Sequence, residues 1–215
     1  MFDTNYMPYL PKDRGSRGLD LGCGSGRLLA LLLDNGFENV VGIDIDRKVI
    51  DAAPAGLRDR MTSIDDLTSY LAQHEGEFDF IIAKDVLYYF PRHEVRARMQ
   101  EIARALKPGG VILAEVFNGA LTTAPYTAAK DLGIQTMYTE HSLRQLLEAG
   151  SLDVVAVAGI RSGKRGARRL LYDLIASAWH WGMRLIQLLE RGIDPQNPRI
   201  FTKSLLGVAK RRTAG

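Results

Sequence analysis

The sequence has little of what disulfide-bonded, metal-binding and membrane-spanning proteins need. Its 215 residues contain one cysteine, Cys23, so no disulfide forms within the chain and we expect a reducing, cytoplasmic location. The four histidines lack the spacing of a zinc site, which predicts no metal. Charged and polar residues interrupt the apolar stretch at 170–189, which argues against a membrane span. Residues 1–10 lack the basic start and apolar core of a signal peptide.

Charge is distributed unevenly, although the formal net charge is only +3. Residues 161–215 hold 12 Lys and Arg against 3 Asp and Glu, a net of +9, so residues 1–160 carry a net of −6. Such a difference is typical of a protein with an anionic partner near its basic part. A solvated basic surface is the alternative.

Apolar runs alternate with helical patterns at βα spacing between residues 17 and 117, which predicts a parallel, doubly wound sheet. After a further helix at 140–149, two strands are expected to pair antiparallel at the edge of the sheet, with a long helix at 168–191 between them. The predicted strands are residues 17–21, 40–45, 61–64, 78–83, 111–117, 152–158 and 204–209.

The fold class is therefore α/β: a Rossmann-like, doubly wound, mostly parallel seven-stranded sheet with an antiparallel edge strand. We expect one domain over residues 1–215. Its core spans residues 15–160, a basic helical insertion spans 161–198, and the last strand lies within 199–211.

A glycine-rich turn follows the first predicted strand, at the carboxyl edge where open α/β sheets bind ligands. Gly22, Gly24 and Gly26 permit a sharp turn and a close approach of ligand to backbone. Asp44 ends the second predicted strand, where a carboxylate can accept both hydroxyl hydrogens of a ribose. The pattern predicts a nucleoside-containing cofactor.

A dinucleotide-binding Rossmann domain also uses a glycine-rich turn and a ribose carboxylate. Its third glycine falls three residues after the second, where this chain has Arg27. A dehydrogenase also usually needs a substrate domain, for which 215 residues leave little room. The spacing thus argues against a dinucleotide-binding domain.

The segment at 20–26, Asp-Leu-Gly-Cys-Gly-Ser-Gly, resembles motif I of class I methyltransferases, and 42–46, Gly-Ile-Asp-Ile-Asp, resembles their second acidic motif. The resemblance implies that S-adenosylmethionine binds and that S-adenosylhomocysteine is the product. It assigns Asp20 to ordering the loop or meeting the amino group, Asp44 to the ribose, and an acidic residue at 65–66 to the adenine amino group. The cofactor residues so implied are Asp20, Gly22, Cys23, Gly24, Gly26, Asp44, Ile45, Asp65, Asp66 and Leu67.

For the adenine contact, the spacing to residues 70–71 favours Asp66 over Asp65. A helix cap is the alternative role for either carboxylate.

A second likeness covers nearly the whole chain: it is similar to bacterial methyltransferases of O-antigen and exopolysaccharide gene clusters. It implies O-methylation of a sugar hydroxyl in a glycan, or of a related small molecule. The chain departs from that pattern where it has Tyr88 and Tyr89 in place of Glu-His, and residues 133–135 in place of Thr-His-Glu. The matching stretches are residues 9–11, 78–82, 85–87, 118, 131–132, 139–147 and 205–209.

A hydroxyl acceptor loses its proton during methyl transfer, so a general base is expected near the strand ends. The candidates are Asp85, His141 and Glu115. A helix cap at Asp85 and a surface position for His141 are the alternatives. Tyr88, Tyr89 and Asn118 are predicted to contact the acceptor. Because two family histidines are absent, a SAM-binding assembly or regulatory protein without catalysis is the rival hypothesis.

The long helix combines leucines and two tryptophans with a basic lead-in that includes Lys164, Arg165, Arg168 and Arg169. This composition suits peripheral contact of residues 164–191 with an anionic membrane. Packing on the sheet or in a homodimer is the alternative. No nucleic-acid-binding motif accompanies the charge, so a nucleic-acid partner is not favoured.

Overall fold

The apolar segments of the sequence form one seven-stranded sheet in the computed structural model. The structure describes residues 2–161 and 167–213, and for residues 167–173 it describes the backbone alone. The strands lie in the order β3-β2-β1-β4-β5-β7-β6. They are β1 Gly18–Leu21, β2 Val40–Asp44, β3 Met61–Ser63, β4 Phe78–Lys84, β5 Leu106–Phe117, β6 Leu152–Gly159 and β7 Ser204–Arg211.

Helices connect most of these strands, and several caps explain where they begin. Asp46 accepts a hydrogen bond from the Lys48 amide at 3.0 Å and so caps the helix at 47–51. Thr139 and Ser142 form a reciprocal capping box at another helix. The helices are α1 Phe2–Asn5, α2 Arg27–Asp34, α3 Arg47–Asp51, α4 Ala55–Arg58, α5 Leu67–Gln73, α6 Val95–Ala105, α7 Ala124–Ala129, α8 Glu140–Ala149 and α9 Ala167–Arg191.

The strand order reverses between β1 and β4. The chain runs outward from β1 through β2 to β3 and then crosses back, so that β4 pairs with the other side of β1. All these pairings are parallel, so the loops after β1, β2 and β4 meet at one edge. This reversal is where open α/β sheets form ligand crevices.

The two strands predicted to pair at the edge do so in antiparallel register, as Leu152 opposite Arg211 shows. The last strand, β7, enters between β5 and β6, so β6 takes the outermost position. Strand β5 begins before the predicted 111–117, because residues 106–110 also pair, with an irregular register opposite β4. A Cβ on Gly110 would lie 3.0 Å from the Phe78 carbonyl oxygen, so only glycine fits this close approach.

Two apolar layers cover the sheet, because alternate side chains of each strand point to opposite faces. In β4, Phe80 and Ile82 pack with the layer that contains α1 and α2. Ile81 and Ala83 pack with the layer that contains α5, α6 and α8. The core therefore lies on both sides of the central strands.

Helix α9 contacts this body along a narrow face. Met183 is 3% exposed, and the ring of His180 lies 6.0 Å from that of Phe201. Residues 162–166, which contain the predicted basic residues Lys164 and Arg165, lie outside the described part of the chain. No helix in the described ranges is long and apolar enough to cross a membrane.

Candidate functional site

The glycine loop after β1 adopts the left-handed backbone that its sequence predicts. Gly22, Gly24 and Gly26 have φ of +74°, +52° and +77°. A Cβ on Gly22 would lie 2.8 Å from the Val86 side chain, and one on Gly26 would lie 3.0 Å from the Met61 sulfur. At Gly24 no atom lies within 4 Å of that position. Gly24 thus leaves open space beside the backbone, whereas the other two glycines permit packing.

Asp44 ties the loop to the end of β2. One carboxylate oxygen accepts from the Gly24 amide at 2.8 Å, and the other accepts from the Asp46 amide at 2.9 Å. Because a carboxylate has about four acceptor positions, Asp44 can still accept from two hydroxyl groups. Ile45, next in sequence, is 76% exposed and provides an apolar surface beside this carboxylate.

Asp20 lies beneath the loop and is 1% exposed. Its Oδ2 has no hydrogen-bond partner in the described structure. Burial, and then the negative charge of Asp44, raise the pKa of Asp20 to about 7. A cationic group bound above the loop would stabilise the charged form of this carboxylate.

Cys23 contributes main chain rather than its thiol to the loop. Its Sγ would lie 2.9 Å from a Cβ on Gly42, so the side chain fills the space over that glycine. Burial, followed by the charges of Asp20 and Asp44, raises the pKa of the thiol to about 12. A thiol held protonated in this way is a packing group.

The two acidic residues after β3, Asp65 and Asp66, were each considered as a helix cap or as the adenine contact, and the structure distinguishes them. Asp66 caps α5, since its Oδ2 accepts from the Ser69 amide at 2.7 Å, and hydrogen bonding from the Ser69 side chain, followed by that from its amide, lowers the pKa of Asp66. Asp65 is exposed, and no hydrogen bond or ion pair within the described residues occupies its carboxylate. The Asp66 carboxylate, which the spacing favoured for the adenine contact, is therefore occupied as a helix cap. The Asp65 carboxylate is the freer of the two. Leu67 is half-buried at the start of the same helix.

A second polar cluster lies at the ends of β4 and β5. Lys84 and Glu115 are partners in the parallel register, with Nζ 3.4 Å from Oε1. Lys84 also pairs with Asp85, and the Tyr6 hydroxyl donates to the other Glu115 oxygen. Glu115 and Tyr6 are 3% and 2% exposed. Two of the three predicted base candidates, Asp85 and Glu115, thus share one lysine.

Asp85 is the member of this cluster with unused hydrogen-bonding capacity. Its φ of +57° is unusual for a residue with a side chain, although Asp tolerates it better than most. The Asp85 amide donates to the Glu115 carbonyl at 2.9 Å, which fixes this conformation. Its Oδ1 is buried and has no partner in the described structure.

Protonation states in the cluster follow from burial and neighbouring charge. For Lys84, burial lowers the pKa, but the hydrogen bond to Asp85 and the attraction of Glu115 outweigh it and raise the pKa. Burial, then Glu115, raises the pKa of Tyr6 far above its usual value. Lys84 therefore stays charged, and Tyr6 stays a hydrogen-bond donor.

Val86 joins the two clusters. Its side chain lies against Gly22 of the loop, while the preceding residue is Asp85. The glycine loop and the Asp85 carboxylate are therefore neighbours at the same edge of the sheet. Lys84 and Tyr6 are site residues that sequence reasoning missed. Lys84 could have been found, because a lysine at the end of an apolar strand is an unusual feature of the sequence. No local sequence feature distinguishes Tyr6.

The paired tyrosines line the same edge in different ways. Tyr88 is 3% exposed and stacks on Phe117, with ring centroids 4.8 Å apart. Tyr89 is exposed, and its hydroxyl donates to Asp131 at 2.9 Å. Of the two, Tyr89 is the one that a molecule in solution reaches directly.

Asn118 does not face the open edge as a substrate contact would. Its Nδ2 donates to the carbonyls of Ile200 and Thr202, at 2.7 and 3.0 Å, and its Oδ1 accepts from the Ala120 amide. With the side chain 2% exposed, these contacts use its polar atoms to hold main chain together. Acceptor binding by Asn118 stays a prediction, to which these contacts add a structural role.

His141 lies apart from the Asp85 cluster. It pairs with Glu140 at 3.8 Å, and both line a pocket of about 400 Å³. The residues lining this pocket include neither Asp85 nor Glu115; they are Glu140, His141, Arg144, Val157, Pro195, Arg199 and Ile200. The structure therefore does not bring the third base candidate together with the other two. No group of three or more metal-ligating side chains occurs in the described residues.

The family model described as a methyltransferase domain matches residues 3–157, and the chain belongs to that family. The ubiquinone biosynthesis O-methyltransferase of Thiobacillus denitrificans is 33% identical over 108 residues, which cover 48% of this chain and 45% of that protein. The chain thus matches less than half the length of this relative.

Solved structures share the fold over nearly the whole chain. A SAM-dependent methyltransferase from Archaeoglobus fulgidus superposes with a TM-score of 0.70 at 16% identity, covering 97% of this chain and 90% of that one. The methyltransferase solved with the Trm112 activator of Haloferax volcanii has a TM-score of 0.66 at 21% identity, covering 97% and 87%. The fold is that of the S-adenosylmethionine-dependent methyltransferases.

Proposed function

We propose that this protein transfers the methyl group of S-adenosylmethionine to a hydroxyl of a sugar in a glycan, or of a related small molecule. Family membership and fold support the reaction class. The O-methyltransferase among the relatives supports an oxygen acceptor. The sugar itself rests on the likeness to O-antigen and exopolysaccharide methyltransferases.

The residues of the loop fit the cofactor. Gly24 leaves space for a ligand, Asp44 offers acceptors to the ribose hydroxyls, and the buried, unpartnered Oδ2 of Asp20 suits the cationic amino group. Ile45 and the free carboxylate of Asp65 would flank the adenine. When bound, S-adenosylmethionine supplies an activated methyl group on a sulfonium.

One observation carries the catalytic proposal: Asp85 has a buried Oδ1 without a partner, beside the glycine loop. This oxygen would take the proton of the acceptor hydroxyl as the new carbon–oxygen bond forms. Lys84 holds the other carboxylate oxygen and thus orients the base, while Glu115 holds Lys84 and is itself held by the Tyr6 hydroxyl. Tyr89 is the acceptor contact that solvent reaches.

The test measures S-adenosylhomocysteine formation with sugars, nucleotide sugars and phenols as acceptors. Asp85→Asn should lower kcat by about 10²–10⁴-fold, the usual contribution of a general base, while cofactor affinity stays unchanged. The loss should be smaller with phenols, because their hydroxyl is more acidic. Asp153→Asn is the control, since Asp153 pairs with Arg212 on the edge strand.

Two results would contradict the proposal in distinguishable ways. Turnover of phenols alone would remove the sugar acceptor and keep the reaction. Binding of S-adenosylhomocysteine without turnover of any acceptor would favour the non-catalytic alternative, which the separation of His141 from Asp85 keeps open.

A further inference from the structure

The orientation of α9 is the reverse of that expected for a surface helix. An α-helix turns by about 100° per residue, so side chains can be placed around its axis. The side facing the body contains Met183, His180 and Gln187, which are buried or half-buried. The opposite side, about half of the circumference, is apolar and exposed; it comprises Leu174, Ile175, Trp179, Trp181, Leu185, Ile186, Leu188 and Leu189.

The exposure of this face is large. Trp181 is 69% exposed, Leu189 is 77% exposed, and Ile193 just beyond the helix is 96% exposed. Exposed apolar surface of this extent, gathered on one face, is rare on monomeric soluble proteins and marks an interaction surface. In the described residues, the apolar face of α9 therefore does not pack on the sheet, which was one alternative for this helix.

We propose that the outward face of α9 lies on an anionic membrane surface. The residues 174–189 form an apolar face with two tryptophans, the composition by which interfacial helices enter the head-group region. The helix does not satisfy the criterion for a span, so it lies along the surface. The exposed Arg184 and Arg191 lie outside the apolar arc, where Arg184 donates to the Arg199 carbonyl at 3.4 Å and Arg191 pairs with Asp194 at 3.5 Å.

Charge favours a membrane over a second copy of the chain. Residues 161–191, which include α9, hold 7 Lys and Arg against 2 Asp and Glu, a net charge of +5, and a two-fold symmetric contact through α9 would bring two such segments together. An anionic lipid surface instead attracts them. Charge and apolar area therefore point to the same occupant.

The experiment uses the full chain with vesicles of phosphatidylcholine, with and without phosphatidylglycerol. The chain has two tryptophans, and both lie on α9, so tryptophan fluorescence reports this helix alone. We expect cosedimentation and a blue shift with phosphatidylglycerol vesicles, and a loss of both as salt rises.

The test variant and its control both replace exposed leucines with glutamate. Leu174→Glu with Leu185→Glu places two charges in the centre of the apolar face, and should weaken vesicle binding by at least about tenfold. Leu31→Glu is the control, because Leu31 is an exposed leucine on α2, 44% exposed. All these side chains are exposed, so the fold is retained, which thermal melting checks.

Three results would overturn the proposal. The first is no binding to phosphatidylglycerol vesicles at low salt. The second is equal binding to phosphatidylcholine alone. The third is a dimer, seen by sedimentation, that Leu174→Glu with Leu185→Glu dissociates, since a second copy would then cover the face.

Discussion

The carboxylate beneath the glycine loop makes the pH dependence of stability a direct test of the site. Asp20 is 1% exposed, and burial followed by the charge of Asp44 raises its pKa from 3.8 to about 7. Between these values the folded protein holds a proton that the unfolded chain has released. The stability from this proton is therefore fully present below about pH 4 and is lost as the pH rises through about 7.

The magnitude follows from the shift. About three pKa units, at about 1.4 kcal/mol each, amount to about 4 kcal/mol of lost stability at pH 8. Asp20→Asn keeps the size of the side chain and removes its titration. Between about pH 5 and pH 8 the parent protein should therefore lose about 2–3 kcal/mol more unfolding free energy than Asp20→Asn.

Urea unfolding across this pH range measures the difference, and Asp3→Asn controls for the loss of an exposed aspartate on α1. Parallel pH curves for the parent and Asp20→Asn would refute the reasoning. If Asp20 meets the amino group of the cofactor, S-adenosylhomocysteine affinity should also fall about tenfold per pH unit below pH 7, and Asp20→Asn should remove that dependence.

Three further predictions concern cofactor binding. Asp44→Ala should weaken S-adenosylhomocysteine binding by at least about tenfold, because each charge-assisted hydrogen bond contributes about 1.5–3 kcal/mol. Calorimetry measures this affinity, and the α3 cap variant Asp46→Ala is the control. Equal affinities of Asp44→Ala and the parent protein would contradict the ribose role. NAD should not bind in the same calorimetric assay. Gly24→Ala and Gly76→Ala should each cost about 1–2 kcal/mol of stability, since both positions have positive φ and open space around the added Cβ. Only Gly24→Ala should weaken cofactor binding, and equal effects of the two on affinity would show that Gly24 faces no ligand.

Local sequence signals predicted the frame of the molecule well. Glycines that need positive φ, apolar runs of strand length and the cap Asp46 act within a few residues, so their consequences can be derived from composition and spacing. The parallel strands at 40–44 and 78–84, the helix at 140–149 and the antiparallel pair formed by the last two strands were all predicted in this way.

The arrangement of the candidate site was decided by tertiary structure. Tyr6 reaches Glu115 across 109 residues of sequence, and Lys84 meets Glu115 only because β4 and β5 are paired in that register. Local patterns contain no information on strand register or on the insertion of β7 between β5 and β6.

The same reason explains the remaining differences. The amide of Asn118 is occupied by carbonyls more than 80 residues away, and Asp66 is taken up by a cap that local spacing could not distinguish from ligand binding. The stripe of α9 was visible in the sequence, but periodicity defines an apolar face without defining its direction. Only the burial of Met183 on the other side shows that this face points outward.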